Sequence, residues 1–170
     1  MTTMVPPEGF RPAENVVRES IKFFDTAPKW TKRKHRLTGA QKAGLAYEKK
    51  VHRSLGYEYG DSYRKKVWIE AVIDGQERGL EIDGLLLSPH GYPPRITIIE
   101  IKLRHTIRAW WQLRQLYQPV MAVAFPGHTI QVCEMYQHWD ASVAIPEEVQ
   151  HCPGDPGCDS MKYKLSRRAY

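Results

Sequence analysis

Two short acidic segments of the chain carry the residue types that metal-assisted chemistry requires. They are residues 80–85 (LEIDGL) and residues 98–102 (IIEIK), and each has the alternating pattern of a β-strand. If the two strands are neighbours, Asp83 and Glu100 converge, and two carboxylates at close range repel each other unless a cation lies between them. Mg²⁺ prefers oxygen ligands of this kind. Lys102 shares a strand face with Glu100, where it can orient a water or stabilise charge on a phosphate.

The Glu-x-Lys spacing by itself is a weak signal. It occurs at Glu48 and at Glu100, and about one occurrence is expected by chance in a chain with this many glutamates and lysines. The first occurrence lies in a predicted helix, where the spacing has no special geometry. The second lies in an apolar strand that follows another acidic strand, so the hypothesis depends on this context and not on the triplet.

The elements that must position these side chains follow the order α-β-β-β-α-β. Thr38 is a favourable N-cap with Gln41 as its capping-box partner, and Asp74-Gly75 is typical of a hairpin turn. The second helix is predicted to run past Pro119, with a kink or an end at this proline as the alternative. The predicted elements are a helix at 38–56, strands at 66–73, 79–87 and 95–103, a helix at 107–122 and a strand at 129–135.

The length of the chain suits one α/β domain with flanking segments. Residues 1–37 are predicted to form an N-terminal arm with a short helix at 14–26 and a basic connector at 29–36. The core is expected at 38–135. Residues 136–170 are predicted to form an irregular C-terminal extension with a basic end.

Composition excludes several protein classes. The 170 residues are 42% hydrophobic with a mean hydropathy of -0.53. No apolar run approaches the ~20 residues that a membrane-spanning helix needs, and the N-terminus lacks the pattern of a secretory signal. Three cysteines are too few for a disulfide scaffold. We therefore expect a cytoplasmic (intracellular) protein that has no membrane partner.

The net charge of +6 is distributed in blocks along the chain. Residues 29–66 contain 12 Lys and Arg against 3 Asp and Glu, whereas residues 67–101 contain 2 against 6. Basic side chains bind a nucleic-acid backbone and release its counterions, while carboxylates bind a divalent cation. The pattern is compatible with a phosphodiester-cleaving site, and equally with a basic arm that is simply solvated.

The order of these motifs resembles the PD-(D/E)XK nuclease superfamily over residues 38–135. The resemblance rests on a first helix with Glu48, a hairpin strand with Asp83, the strand segment Glu100-Ile101-Lys102 and a following helix that contains glutamines. It implies the αβββαβ core of restriction-endonuclease-like proteins, a mixed sheet flanked by helices. It also implies Mg²⁺-dependent hydrolysis of phosphodiester bonds, with Mn²⁺ able to substitute.

The resemblance also assigns roles to individual residues. Asp83 and Glu100 would bind the metal with the main-chain carbonyl of Ile101, and Lys102 would position the attacking water. Glu48 would match the acidic residue of the first helix, a ligand of metal or water. Ile82 stands where the family pattern has proline, a position that carries no chemistry.

Two further groups of side chains are candidates for nucleic-acid contact. Arg108, Gln112 and Gln115 fall on one face of the predicted second helix, whereas Trp110 and Tyr117 fall on a face expected to pack in the core. The RecB-like branch of the superfamily has Gln-x-x-x-Tyr here, and the spacing from Gln112 to Tyr117 is one residue longer. The basic connector supplies the second group: Lys32, Arg33, Lys34 and Arg36.

The sequence therefore predicts a Mg²⁺-dependent deoxyribonuclease, in particular an endonuclease, in which a metal-activated water attacks phosphorus. DNA is the expected partner, and a homodimer is compatible with the prediction. A nucleotide cofactor is not expected, because the chain lacks a glycine-rich phosphate loop. Two alternatives remain open: a non-catalytic nucleic-acid-binding or assembly module on the same fold, and a structural protein whose acids form salt bridges on a sheet face.

Overall fold

The computed structural model describes residues 6–31, 36–104 and 107–138. It contains a five-stranded mixed sheet in the order β1-β2-β3-β4-β5, flanked by two helical segments. Only β4 and β5 are parallel. The elements are β1 (Lys22–Phe24), α1 (Gly39–Tyr59), β2 (Tyr63–Ile73), β3 (Gln76–Ser88), β4 (Arg95–Arg104), α2 (Ile107–Trp111), a π-helical stretch (Gln112–Tyr117), α3 (Gln118–Ala124) and β5 (Thr129–His138).

The start of α1 confirms the predicted capping box. Thr38 Oγ1 accepts the N–H of Gln41 at 3.3 Å, and the Gln41 side chain accepts the N–H of Thr38 at 2.9 Å. The predicted end at residue 56 is wrong, because the helix runs three residues further. Burial of Leu55 against the sheet keeps the last turns ordered, and Gly60, at a φ of 54°, supplies the conformation that ends the helix.

The predicted hairpin turn at Asp74-Gly75 is confirmed. Both residues have positive φ, 52° and 77°, and they connect Ile73 and Gln76, which pair across the hairpin. A two-residue loop of this kind matches the right-handed twist of the two strands. The Asp74 carboxylate also accepts the main-chain N–H of Asn15 at 2.7 Å, which fixes the N-terminal segment against the turn.

The short helix predicted at 14–26 is wrong. This segment forms a single 3₁₀ turn, Arg18–Ser20, followed by β1, which pairs antiparallel with β2. The open edge of β2 offers the chain hydrogen-bond partners: the N–H of Val17 donates to the Val72 carbonyl at 3.0 Å, and Ser20 Oγ accepts the N–H of Val72 at 2.8 Å. These tertiary hydrogen bonds override the helical spacing of the apolar residues.

The second helical segment continues past Pro119 to Ala124, as the predicted helix at 107–122 requires, and does not end at this proline. Pro119 lies in the first turn of α3, where a missing N–H is tolerated. The π-helical stretch precedes it, and the N–H of Gln118 donates to the Leu113 carbonyl five residues back. The segment buries Leu113, Tyr117 and Val120 against the sheet, so the expected core position of Tyr117 is confirmed.

Both faces of the sheet are covered, which explains the nearly continuous apolar runs of β3 and β4. One core lies between the sheet and the second helical segment and includes Ile69, Ile82, Ile98, Val120 and Met121. The other lies under α1 and includes Val51, Leu55, Leu86, Ile99 and Met135. No helix in the described part of the chain has both the length and the apolar character to cross a membrane.

Gly84 allows a close approach between β2 and β3 beside one of the acidic residues. A Cβ atom at Gly84 would lie 2.6 Å from Tyr63 Oη and 2.9 Å from Tyr63 Cε2. The Tyr63 ring is buried over this position, and its hydroxyl contacts His52 at 2.6 Å. A glycine at this position therefore determines where the Tyr63 hydroxyl lies.

Gly84→Ala should lower the free energy of unfolding by about 1–3 kcal/mol, because the added methyl group must displace the Tyr63 ring. Gly44→Ala is a matched control within α1, where a Cβ atom meets nothing within 4 Å. That variant should be stabilised by about 0.5–1 kcal/mol, because glycine is unfavourable inside a helix. Urea denaturation of both variants measures the effect, and equal shifts of the same sign would contradict this role of Gly84.

Candidate functional site

Strands β3 and β4 separate at the two acidic residues that the sequence analysis singled out. Their pairing ends at Gly84 and Ile99, and the same register places Asp83 opposite Glu100. Asp83 Oδ2 instead accepts the N–H of Ile101 at 2.8 Å in a buried position. We call this opening between the strands, with the Asp83 carboxylate at its apex, the fork.

A lysine lies among three carboxylates on one side of the fork. Lys66 Nζ is 2.6 Å from Glu48 Oε1, 2.8 Å from Glu81 Oε1 and 3.2 Å from Asp83 Oδ1. Glu48 comes from α1, whereas Glu81 and Asp83 come from β3. Lys66 has a φ of 51° within a strand, a conformation that is uncommon for any residue except glycine. We call these four residues the Lys66 cluster.

The Lys66 cluster continues through His52 to Tyr63. His52 Nε2 is 3.2 Å from Glu48 Oε1, and His52 Nδ1 is 2.6 Å from Tyr63 Oη. Burial by itself would raise the pKa of Glu48, but hydrogen bonds from His52 and Lys66 and the charge of Lys66 outweigh it and lower this pKa to about 2. Burial by itself would lower the pKa of Lys66, but the charges of Asp83 and Glu48 outweigh burial and raise this pKa. Glu48 and Lys66 therefore form an ion pair at neutral pH.

The side chains of Glu100 and Lys102 are in direct contact on the other side of the fork. Glu100 is only 3% exposed, and its Oε2 atom has no hydrogen-bond partner among the described residues. Burial, and then the charge of Asp83, raise the pKa of Glu100 to about 8. Burial by itself would lower the pKa of the Lys102 ammonium, but the neighbouring Glu100 outweighs burial and raises this pKa.

Asp83 connects the two sides electrostatically. Burial raises its pKa, while Lys66 and the N–H of Ile101 lower it only in part. Glu134 on β5 lies beside Glu100 in the parallel register, and its charge also raises the pKa of Glu100. The fork thus concentrates negative charge around a buried oxygen atom that has no hydrogen-bond partner in the described part of the chain.

The structure brings the predicted catalytic residues to one region of the sheet. Glu48 and Asp83 meet at Lys66, Glu100 pairs with Lys102, and the charge of Asp83 acts on Glu100. Ile101 donates its N–H to Asp83, and its side chain packs in the core under α1. Within the described residues, no group of three or more His, Cys, Asp or Glu side chains is arranged to hold a metal ion.

The candidate nucleic-acid contacts are distributed differently. Arg36 and Arg108 are exposed, whereas Gln112 and Gln115 are half-buried. The amide oxygen of Gln112 is buried and has no hydrogen-bond partner among the described residues. Lys32, Arg33 and Lys34 lie outside the described residues. Contact of any of these side chains with DNA stays a prediction.

Sequence reasoning missed Lys66, the lysine at the centre of the cluster. No spacing rule identifies it, because its position depends on the unusual backbone conformation of one strand residue. His52 follows Glu48 by one helical turn, and this i,i+4 spacing is the sequence signal that brings its ring to Glu48. The burial of Tyr117 was expected, but its hydroxyl also donates to the Glu81 carbonyl at 2.9 Å.

Glu100 gives the metal-free protein a specific dependence on pH. Its folded-state pKa of about 8 lies above the ordinary value of a glutamate, so the folded chain binds this proton more tightly than the unfolded chain. Binding of this proton therefore stabilises the folded protein fully below about pH 4, and this contribution to the unfolding free energy is lost as the pH rises to about 8. In EDTA, the unfolding free energy of the parent should fall relative to that of Glu100→Gln across this window, by an amount on the order of a few kcal/mol. Parallel curves of unfolding free energy against pH for the two proteins would contradict the buried, charge-repelled state of Glu100.

Comparisons with known proteins leave the function to be argued from this geometry. No protein-family model, curated protein or solved structure matches the chain.

Proposed function

We propose that the protein is a Mg²⁺-dependent deoxyribonuclease, an endonuclease that hydrolyses phosphodiester bonds at the fork. The observation that carries the proposal is the state of Glu100. This carboxyl group is buried, its Oε2 atom has no partner among the described residues, and Asp83 repels it across the fork. A buried carboxylate in this state costs free energy unless a cation or proton compensates for it.

The oxygen atoms at the fork suit Mg²⁺ better than a metal ion that requires all of its ligands from the protein. Mg²⁺ is usually bound through one or two carboxylates and keeps several waters. Asp83, Glu100 and the main-chain carbonyl of Ile101 are the residues that would hold it. The absence of a larger ligand group among the described residues is compatible with such a site.

Different residues at the fork have different roles in the proposed hydrolysis. A bound cation would lower the pKa of a water and neutralise charge on the phosphate. Lys102 is an ammonium, so it donates hydrogen bonds and orients the water or phosphate; it does not remove a proton. Glu48 stays ionised in its ion pair with Lys66, so it would accept a hydrogen bond from the attacking water and orient it, and the proton that the water releases would pass to solvent.

The charge on α1 supports DNA as the substrate. Lys42, Lys49 and Arg53 recur at helical spacing and are exposed, and Lys50 adds a further exposed charge. The same helix carries Glu48 to the Lys66 cluster. A DNA backbone bound along α1 would therefore lie close to the helix that contributes to the site.

Asp83→Asn and Glu100→Gln should each reduce Mg²⁺-dependent cleavage at least about 100-fold, because both substitutions remove a ligand charge and leave the side-chain shape nearly unchanged. Linear, circular, branched and single-stranded DNA are incubated with and without Mg²⁺, and cleavage of circular DNA identifies an endonuclease. Lys102→Met should bind Mn²⁺ as the parent does but turn over slowly.

Glu77→Gln is the matched control for these variants. Glu77 is an exposed carboxylate on β3, the same strand as Asp83, and it pairs with Val72 away from the fork. It should cleave as the parent does. Cleavage by Glu100→Gln at the parent's rate would overturn the proposed function.

Removing charge from α1 should weaken DNA binding uniformly across sequences. For the double variant Lys49→Gln, Arg53→Gln, the slope of log affinity against log salt concentration should become shallower by about 2, since each phosphate contact contributes about 0.9. Fluorescence anisotropy in Ca²⁺ or EDTA measures binding without cleavage. An unchanged slope would exclude this face of α1 as the DNA contact.

One observation favours a second function, a nucleic-acid-binding module without catalysis. Lys66 already places a positive charge among Glu48, Glu81 and Asp83, so part of the negative charge of this cluster is compensated without a metal ion. Such a protein would bind DNA in a salt-dependent manner and cleave none of the four substrates in Mg²⁺ or Mn²⁺.

A further inference from the structure

We propose that the ammonium of Lys66 takes the place of a second divalent cation, so that the protein works with a single metal ion held by Asp83 and Glu100. This inference rests on the proposed function and specifies its metal stoichiometry. It assigns Lys66 a positioning role: the lysine holds Glu48 and Asp83 and does not itself react.

The contacts of Lys66 are those of a bound cation. Its Nζ atom lies within 3.2 Å of one oxygen from each of three carboxylates, which come from two different elements of the fold. The side chains of Glu48 and Asp83 are 15% and 12% exposed, so water screens their charges only weakly. A carboxylate cluster of this kind would otherwise attract a metal ion.

The backbone indicates that the position of Lys66 is built into the fold. Lys66 has a φ of 51° within β2, and such a conformation is unfavourable for a lysine and persists only where the surroundings enforce it. The ladder between β2 and β3 pairs Lys65 with Gly84 and Val67 with Ile82, and Lys66 lies between these pairs. The strand thus keeps its register while one residue turns its ammonium toward Asp83.

Asp83 is shared between the two cationic positions. Its Oδ1 atom contacts Lys66, and its charge also acts on Glu100 and Lys102. In enzymes with two metal ions, a shared carboxylate commonly bridges the pair, and the second ion stabilises charge during displacement. A fixed ammonium at the Lys66 position supplies one positive charge to the same carboxylate without an open coordination site.

Counting bound metal ions tests this role directly. The full chain is titrated with Mn²⁺, and free Mn²⁺ is measured by electron paramagnetic resonance. The parent should bind about one ion, and Lys66→Met should bind about two, because the variant leaves Glu48 and Asp83 without their cation. Adding Glu48→Gln to Lys66→Met should return the count to about one.

Two single variants control for charge and for folding. Lys65→Met removes the exposed lysine next along β2, and Lys66→Arg keeps the positive charge; both should bind about one ion. Thermal melts with and without Mn²⁺ report folding, and Mn²⁺ should raise the Tm of Lys66→Met more than that of the parent.

The outcomes separate the two proposals. A count of one in both the parent and Lys66→Met, or of two in the parent, overturns the role of Lys66 and leaves the proposed function standing. No ion in the parent but one in Lys66→Met supports the role of Lys66 as the resident cation and overturns the proposed metal at Asp83 and Glu100. No ion in either protein overturns both.

Discussion

The arrangement of charge at the fork depends on one constraint, the compensation of carboxylates that are buried inside a sheet. A carboxylate removed from water is costly unless hydrogen bonds or positive charge replace its hydration. Asp83 meets much of this requirement with the N–H of Ile101 and the ammonium of Lys66, although burial still raises its pKa. Glu100 meets it only in part, through Lys102, and retains an oxygen atom without a partner in the described structure.

The architecture creates this situation by separating two strands. Where β3 and β4 are paired, their main-chain groups satisfy each other, and most of the paired residues are apolar. Beyond Gly84 and Ile99 the ladder stops, and a side-chain carboxylate takes the N–H that the neighbouring strand would have bonded. A carboxylate can be buried inside the sheet at this point because the main-chain N–H of Ile101 needs a hydrogen-bond acceptor there.

The two flanking helical segments then restrict access to the fork. α1 packs on one face and delivers Glu48 and His52 from the same side of the helix, one turn apart. The π-helical stretch covers the other face, where Tyr117 is buried and donates to the Glu81 carbonyl. Burial on both faces raises the pKa of Glu100, whereas at Glu48 the hydrogen bonds from His52 and Lys66 outweigh burial and lower the pKa.

The sequence by itself determined the elements whose signals are local. The capping box at Thr38, the turn at Asp74-Gly75 and the apolar run of β4 depend on neighbouring residues, and the structure has them where they were predicted. Period-2 alternation also placed Glu100 and Lys102 on one strand face. These features follow from short-range sterics and hydrogen bonds, which the order of residues specifies directly.

Tertiary structure alone decided the features that depend on distant partners. Segment 14–26 pairs with the β2 edge and does not form the predicted helix, because the hydrogen bonds of that edge come from residues more than 40 positions away. Lys66 reaches three carboxylates because one strand residue adopts a left-handed conformation that only the packed sheet can enforce. The partnerless oxygen of Glu100 likewise results from burial between layers, a property of the folded chain that no local pattern of residues encodes.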